Sequence, residues 1–177
     1  MHVPDATDTS TASSGPLITD AGKMTKISTL WNPLPELGWA DDYGLAHQKM
    51  RDGNFLRSGI SGGMLSGAAD ASFTVFDAEI IFDKPANIEI SFLNGEMARI
   101  LVTFTQPPAL SEALADYEEK LGQPIEKKVS SNPYETSRAR WMLASLDKKE
   151  LLEVELVEDQ GTMGLSYIRK INETKKQ

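Results

Sequence analysis

The sequence predicts an α+β domain built on one mainly antiparallel sheet, and three observations carry that expectation. Alternating apolar residues recur over 73–104 and again over 137–171. Only two stretches, about 41–52 and about 109–121, space their apolar residues for a helix. No strand–helix alternation, which a parallel sheet needs, runs through the chain. The expected architecture is six to seven strands packed on one longer helix, about 109–121, and one short N-terminal helix, about 41–52.

Each element follows from local chemistry. Lys26 to Trp31 is read as a short strand or an extended entry, and Pro33 and Pro35 then forbid helix. Asp41 or Asp42 caps a helix running to about Arg51. Its buried stripe is Tyr43, His47 and Met50, and Gly53 ends it with a positive φ. Residues 59–67 hold four glycines and read as a flexible loop between two short strands, or part of one. Phe73 to Phe82 reads as a strand with Phe76, Ala78, Ile80 and Phe82 on one face, closed by Pro85. The next two strands point Ile88, Ile90 and Phe92, then Ala98, Ile100, Val102 and Phe104, inward.

The turn between those two strands is constrained by their faces. A two-residue Asn94-Gly95 loop pairs Leu93 with Glu96 and would place the two apolar sets on opposite faces. A three-residue loop, Leu93-Asn94-Gly95, pairs Ile90 with Ala98 and Ile88 with Ile100, and the sets coincide. The expectation is therefore a type I turn with a G1 bulge and Gly95 in the left-handed region. Pro107 and Pro108 suit the first turn of the next helix, whose buried stripe is Leu110, Leu114, Tyr117 and Leu121. Asp116 and Lys120 form an i, i+4 pair, Gly122 is the C′ residue, and Pro124 blocks extension. Three strands follow. Ser137–Ala144 points Ala139, Trp141 and Leu143 inward. Leu151–Glu158 points Leu152, Val154 and Leu156 inward. Met163–Ile171 has Leu165, Tyr167 and Ile171 on one face, and Asp159-Gln160-Gly161-Thr162 is the hairpin turn before it.

The 177 residues are read as a polar leader (1–22), one domain (23–171) and a charged tail (172–177). Asp5 to Gly15 is too small and polar to offset its ordering entropy by burial. Met1 is followed by His-Val-Pro-Asp rather than a basic patch and an apolar run, so no signal peptide is read. The leader is either the tether left by a removed export signal or a native cytoplasmic tail. A periplasmic or secreted location is favoured, with the cytoplasm as the alternative. The 26 acidic and 18 basic residues give a net charge of −8, which argues against nucleic acid and anionic lipid as partners. No apolar run is long enough to cross a bilayer. The absence of cysteine excludes disulfides, thiolate catalysis and cysteine-ligated metals.

Reactive groups are sparse. Gly59-Ile60-Ser61-Gly62-Gly63 fits G-x-S-x-G, but no histidine base follows Ser61. His47 lacks metal partners, because capping accounts for Asp41 and Asp42. Asp77, Glu79, Asp83, Glu89 and Glu96 read as solvent-facing strand carboxylates rather than an acid–base pair. Asn172-Glu173-Thr174 is a glycosylation sequon only in a secretory eukaryote. No catalytic residue, metal or cofactor is expected. Lys127-Lys128, Arg138, Arg140 and Lys148-Lys149 are candidates for a basic stripe facing an acidic partner. The candidate partner-binding residues are Trp31, Trp39, Met64, Leu65, Arg138 and Arg140. If buried, Trp31 and Trp39 are instead a lid on the core; Trp141 is expected to plug the core against the longer helix.

From Leu110 to Tyr167 an amphipathic helix ends in Leu121-Gly122-Gln123-Pro124. A strand centred on Arg140-Trp141-Met142 and the 151–171 hairpin follow. This pattern resembles the β-lactamase-inhibitor-protein-like fold and the small bacterial outer-membrane assembly lipoproteins. Leu37-Gly38-Trp39-Ala40-Asp41-Asp42 is similar to the start of that family's first helix, while the family's lipobox cysteine is missing. The resemblance implies a non-catalytic module that binds other proteins through a sheet face and its loops, in a bacterial cell envelope. A monomer is favoured. A small acidic secretion-type chaperone, which should be a dimer, is the alternative. A small-ligand binder or enzyme on the concave sheet face is a third, and a large closed cavity between helix and sheet would mark it.

Overall fold

The structure, a computed structural model, describes residues 30–53, 59–61, 71–145 and 149–171. Helix α1 spans Tyr43–Asp52 and α2 spans Leu110–Leu121. The strands are β1 Gly59–Ser61, β2 Ala71–Ala78, β3 Ala86–Leu93, β4 Glu96–Phe104, β5 Glu126–Lys128, β6 Ser137–Ala144, β7 Glu150–Asp159 and β8 Thr162–Ile171. All eight form one antiparallel sheet in the order β1-β2-β3-β4-β8-β7-β6-β5. The α+β class and both helices match expectation; the strand count exceeds it, β5 being the strand not foreseen.

The strand order is a palindrome. Each half is one helix followed by a four-strand meander, and the two last strands, β4 and β8, pair at the centre. Both β3–β4 and β7–β8 turn through two residues of positive φ, Asn94 and Gly95 at 53° and 80°, Gln160 and Gly161 at 50° and 87°. Met97 and Met163 follow at matching positions and are both buried. These correspondences place a pseudo-twofold axis through the Leu101–Ser166 pair. Leu101 lies one residue further from its turn than Ser166 does, and the extra residue is Ala98.

Ala98 marks the first correction. The turn is not the three-residue loop the apolar faces demanded. Leu93 pairs with Glu96 around a two-residue turn with both φ values positive, as in type I′. Phe92 then pairs with Met97 and Ser91 with Arg99, so Ala98 is an unpaired bulge. The bulge restores what the short turn would have broken. Ile90 faces Ile100, and Ile88 faces Val102, with all four buried. Gly95 does have the positive φ expected of it.

A second bulge corrects β2. It ends at Ala78, not Phe82, and buries Phe73 and Val75 rather than Phe76. Val75 pairs with Ile88 and Ala78 with Ala86, so two residues oppose Asn87 alone. Asp77 takes a φ of 52° there, and its N–H donates to Asn87 Oδ1 at 3.1 Å. Phe82 and Asp83 also have positive φ in the connection to β3. The Phe82 ring is thereby placed 5.0 Å from Tyr117 and 5.9 Å from Phe104.

Both helices cover one sheet face. Asp42 caps α1, accepting from the Leu45 N–H at 2.8 Å. Tyr43, Ala46 and Met50 are buried, and His47 is half-buried at the rim, stacked on Tyr43. Gly53 closes α1 with a φ of −74°, not the positive value expected. Pro107 and Pro108 lie just before α2 rather than in its first turn, and Ala109 is the N-cap. Leu110 is only half-buried, and Ala113 joins the stripe of Leu114, Tyr117 and Leu121. Gly122 ends α2 at φ 87°, as expected.

The core is one cluster. Phe73, Ile90, Ile100, Tyr167, Val154 and Trp141 form a continuous row across six strands. Trp141 plugs the core as expected. Its ring meets Tyr117 edge-on at 5.8 Å, and its Nε1–H donates to the Gly122 carbonyl at 2.8 Å. Tyr117 and Tyr167 share a short hydrogen bond between their hydroxyls. Burial pushes both phenols well above the ordinary tyrosine range.

Two outcomes follow. Tyr117→Phe strands the Tyr167 hydroxyl and should cost about 1–3 kcal/mol in urea denaturation, whereas Tyr117→Phe with Tyr167→Phe should cost less than the sum of the single changes. Gly161 has nothing near the position of an added Cβ, so Gly161→Ala should cost about 1 kcal/mol through backbone strain alone, read as a shifted urea midpoint.

Candidate functional site

The sheet face away from the helices is uncovered among the described residues. One row across it reads Thr74, Glu89, Leu101, Ser166, Glu155, Arg140 and Glu126, from β2 to β5. Strand alternation puts the first six outward because their neighbours in sequence are the buried row, and Glu126 lies opposite Arg140.

Charge on this face is ordered in pairs. Glu153 accepts from Lys170 Nζ at 2.6 Å and from Arg140 Nη1 at 2.8 Å. Arg140 Nε also meets Glu126 at 3.3 Å, so the chain Lys170–Glu153–Arg140–Glu126 crosses β8, β7, β6 and β5. Arg138 meets Glu155 at 3.0 Å, and Arg99 meets Glu89 at 3.6 Å. The hydrogen bonds from Lys170 and Arg140 hold the Glu153 carboxyl below the ordinary glutamate range. Between the charges lie the half-buried Leu101, Met142, Leu151, Val157 and Ile168.

The candidate residues separate. Arg138 and Arg140 stand together on the open face, each against a carboxylate. The expected basic stripe is thus neutralised there. Lys127 turns to the other face and meets Glu118 of α2 at 2.7 Å. Trp39 is buried, and its Nε1–H donates to the Trp31 carbonyl at 2.7 Å. Trp31 is half-buried, 6.2 Å from both Tyr117 and Tyr167. The two tryptophans therefore form the lid on the core, on the helical side. Met64 and Leu65 lie outside the described residues, as do residues 1–29, most of the glycine loop, Lys148 and the 172–174 sequon.

The expected carboxylates are dispersed. Glu89 pairs with Arg99, Glu96 pairs with Arg169 at 2.8 Å, and Asp83 lies in the β2–β3 connection. Ser61 is the last residue of β1, which pairs antiparallel with β2, and the residues after it, 62–70, lie outside the described residues. No group of three potential metal ligands occurs among the described residues, and none of their helices is long and apolar enough to cross a membrane. Among the described residues, surface clefts border both α1 and α2. One of them, of about 530 Å³, is lined by Pro35, Leu45, Lys49 and Asp52.

Sequence reading missed Glu126, Glu153, Glu155 and Lys170. The signal was the period-two charge of β7 facing that of β6, which becomes visible only once Glu155 is paired with Arg140. Comparison with known proteins returns no match to any family model, curated protein or solved structure.

Because Glu153 is depressed in the fold, its contribution is present above the unfolded glutamate pKa, about 4.3, and is lost as pH falls through the folded value. Glu153→Gln should therefore reduce stability at pH 7 and flatten its decline on acidification, measured as urea midpoints from pH 7 to about pH 2.

Proposed function

We propose that this chain is a non-catalytic module that binds a protein partner through the open face of its sheet, in a bacterial cell envelope. One observation carries the reading: among the described residues the eight-stranded sheet has one face sealed by helices and the other left bare. A bare face of mixed apolar and paired charged groups suits a protein surface better than a small ligand. Its half-buried Leu101, Met142 and Ile168 supply apolar contact, and the surrounding charges supply register and selectivity. The envelope assignment rests on the resemblance of Leu121-Gly122-Gln123-Pro124 and the Trp141 strand to the envelope modules.

The test uses folded point variants as bait against an envelope extract of the source organism. Arg138→Glu and Leu101→Arg should each weaken retention of the captured partner by about tenfold or more, the loss expected of a central contact. Leu45→Ser, an exposed position of α1 on the helical side, should leave retention unchanged. Loss with Leu45→Ser and retention with both face variants would overturn the reading.

A further inference from the structure

We infer that the β5 edge is a self-complementary surface on which a second copy of this chain pairs edge to edge. Among the described residues β5 has a neighbour on one side only, β6, so its outer backbone groups lack strand partners. It is flanked by Ile125 and Val129, which are 50% and 51% exposed, among the most exposed large apolar side chains described.

The sequence Ile125-Glu126-Lys127-Lys128-Val129 reads against itself when paired antiparallel about Lys127. Glu126 then faces Lys128 of the second copy, Lys128 faces its Glu126, and Ile125 faces its Val129. Both exposed apolar residues and both charges on the open face gain a partner in one step, as a twofold contact requires. Lys127 meets its own equivalent at the axis, where Glu118 of each copy already holds that ammonium at 2.7 Å. The apolar pair also lands beside a cleft of about 340 Å³ between α2 and β5, lined by Leu110, Leu114, Ala115 and Val129. Ile125 of the second copy, opposite Val129 on the helical side, covers it.

Short edges bearing lysine also keep sheets apart. This edge differs in placing a glutamate at the matching position and uncovered apolar residues on both sides. Pairing here extends the sheet beyond eight strands and leaves the open face free, so its failure would not touch the partner-binding reading.

The experiment is analytical ultracentrifugation of the full chain from micromolar to millimolar concentration. The wild type should dimerise. Glu126→Lys alone sets lysine against lysine, and Lys128→Glu alone sets glutamate against glutamate. Each should weaken dimerisation by about tenfold or more, because the charge clash occurs twice across the axis. An equal mixture of the two variants restores opposite charges at both places and should recover wild-type association, which also shows that both variants are folded. A wild type that stays monomeric at millimolar concentration would overturn the inference. So would a dimer that both reversals leave intact, and so would a mixture no tighter than either variant alone.

Discussion

The pairing of β4 with β8 is the constraint on which the rest of the structure depends. Each half of the chain supplies a helix and a four-strand meander, and this seam makes the two meanders one sheet. The row from Phe73 to Trp141 is continuous only because Ile100 lies opposite Tyr167 across the seam. A one-residue slip would turn one half's apolar set toward solvent. Arg169 pins the end of the seam, reaching Glu150 on β7 and Glu96 on β4 at 2.7 and 2.8 Å. Gly164 fits beside it because an added Cβ would come within 3.3 Å of the Val102 carbonyl oxygen.

The halves also interlock on the helical side. Trp31 precedes the first helix yet packs on Tyr117 and Tyr167 of the second half. Phe82, held in a left-handed conformation, reaches Tyr117 from the first half as well. Backbone strain at a bulky residue costs on the order of 1 kcal/mol, offset here by ring contacts that a relaxed turn would forgo. Among the described residues this side is sealed and the opposite face is left open by packing alone.

Much of this was legible in the residues. β6 was bounded correctly because Ala139, Trp141 and Leu143 alternate cleanly, and α2 because Leu114, Tyr117 and Leu121 share a face before Gly122. The β3–β4 turn was misread for an instructive reason. Asn94-Gly95 favours a short turn while the apolar faces forbid its register. Local sequence reveals that conflict without saying whether the turn or the ladder yields, and the ladder yielded, at Ala98. β5 was missed because Glu126, Lys127 and Lys128 are all exposed and form a strand only through β6. At the candidate site Arg138 and Arg140 were visible as a pair. Their neutralisation by Glu155, Glu153 and Glu126 was not, since it depends on a register set by distant turns.

The position of β8 has a consequence for how the protein is made. During vectorial synthesis the first meander emerges with β4 as a bare edge, and it stays bare until β8, the last of the eight strands, has been translated. The partner strand of the seam is therefore the last of the eight to leave the ribosome. Throughout that interval the ring of Trp31 lacks Tyr167, which arrives only with β8. The nascent first half is then a sticky intermediate by construction, and β8 completes both the sheet and the packing around Trp31.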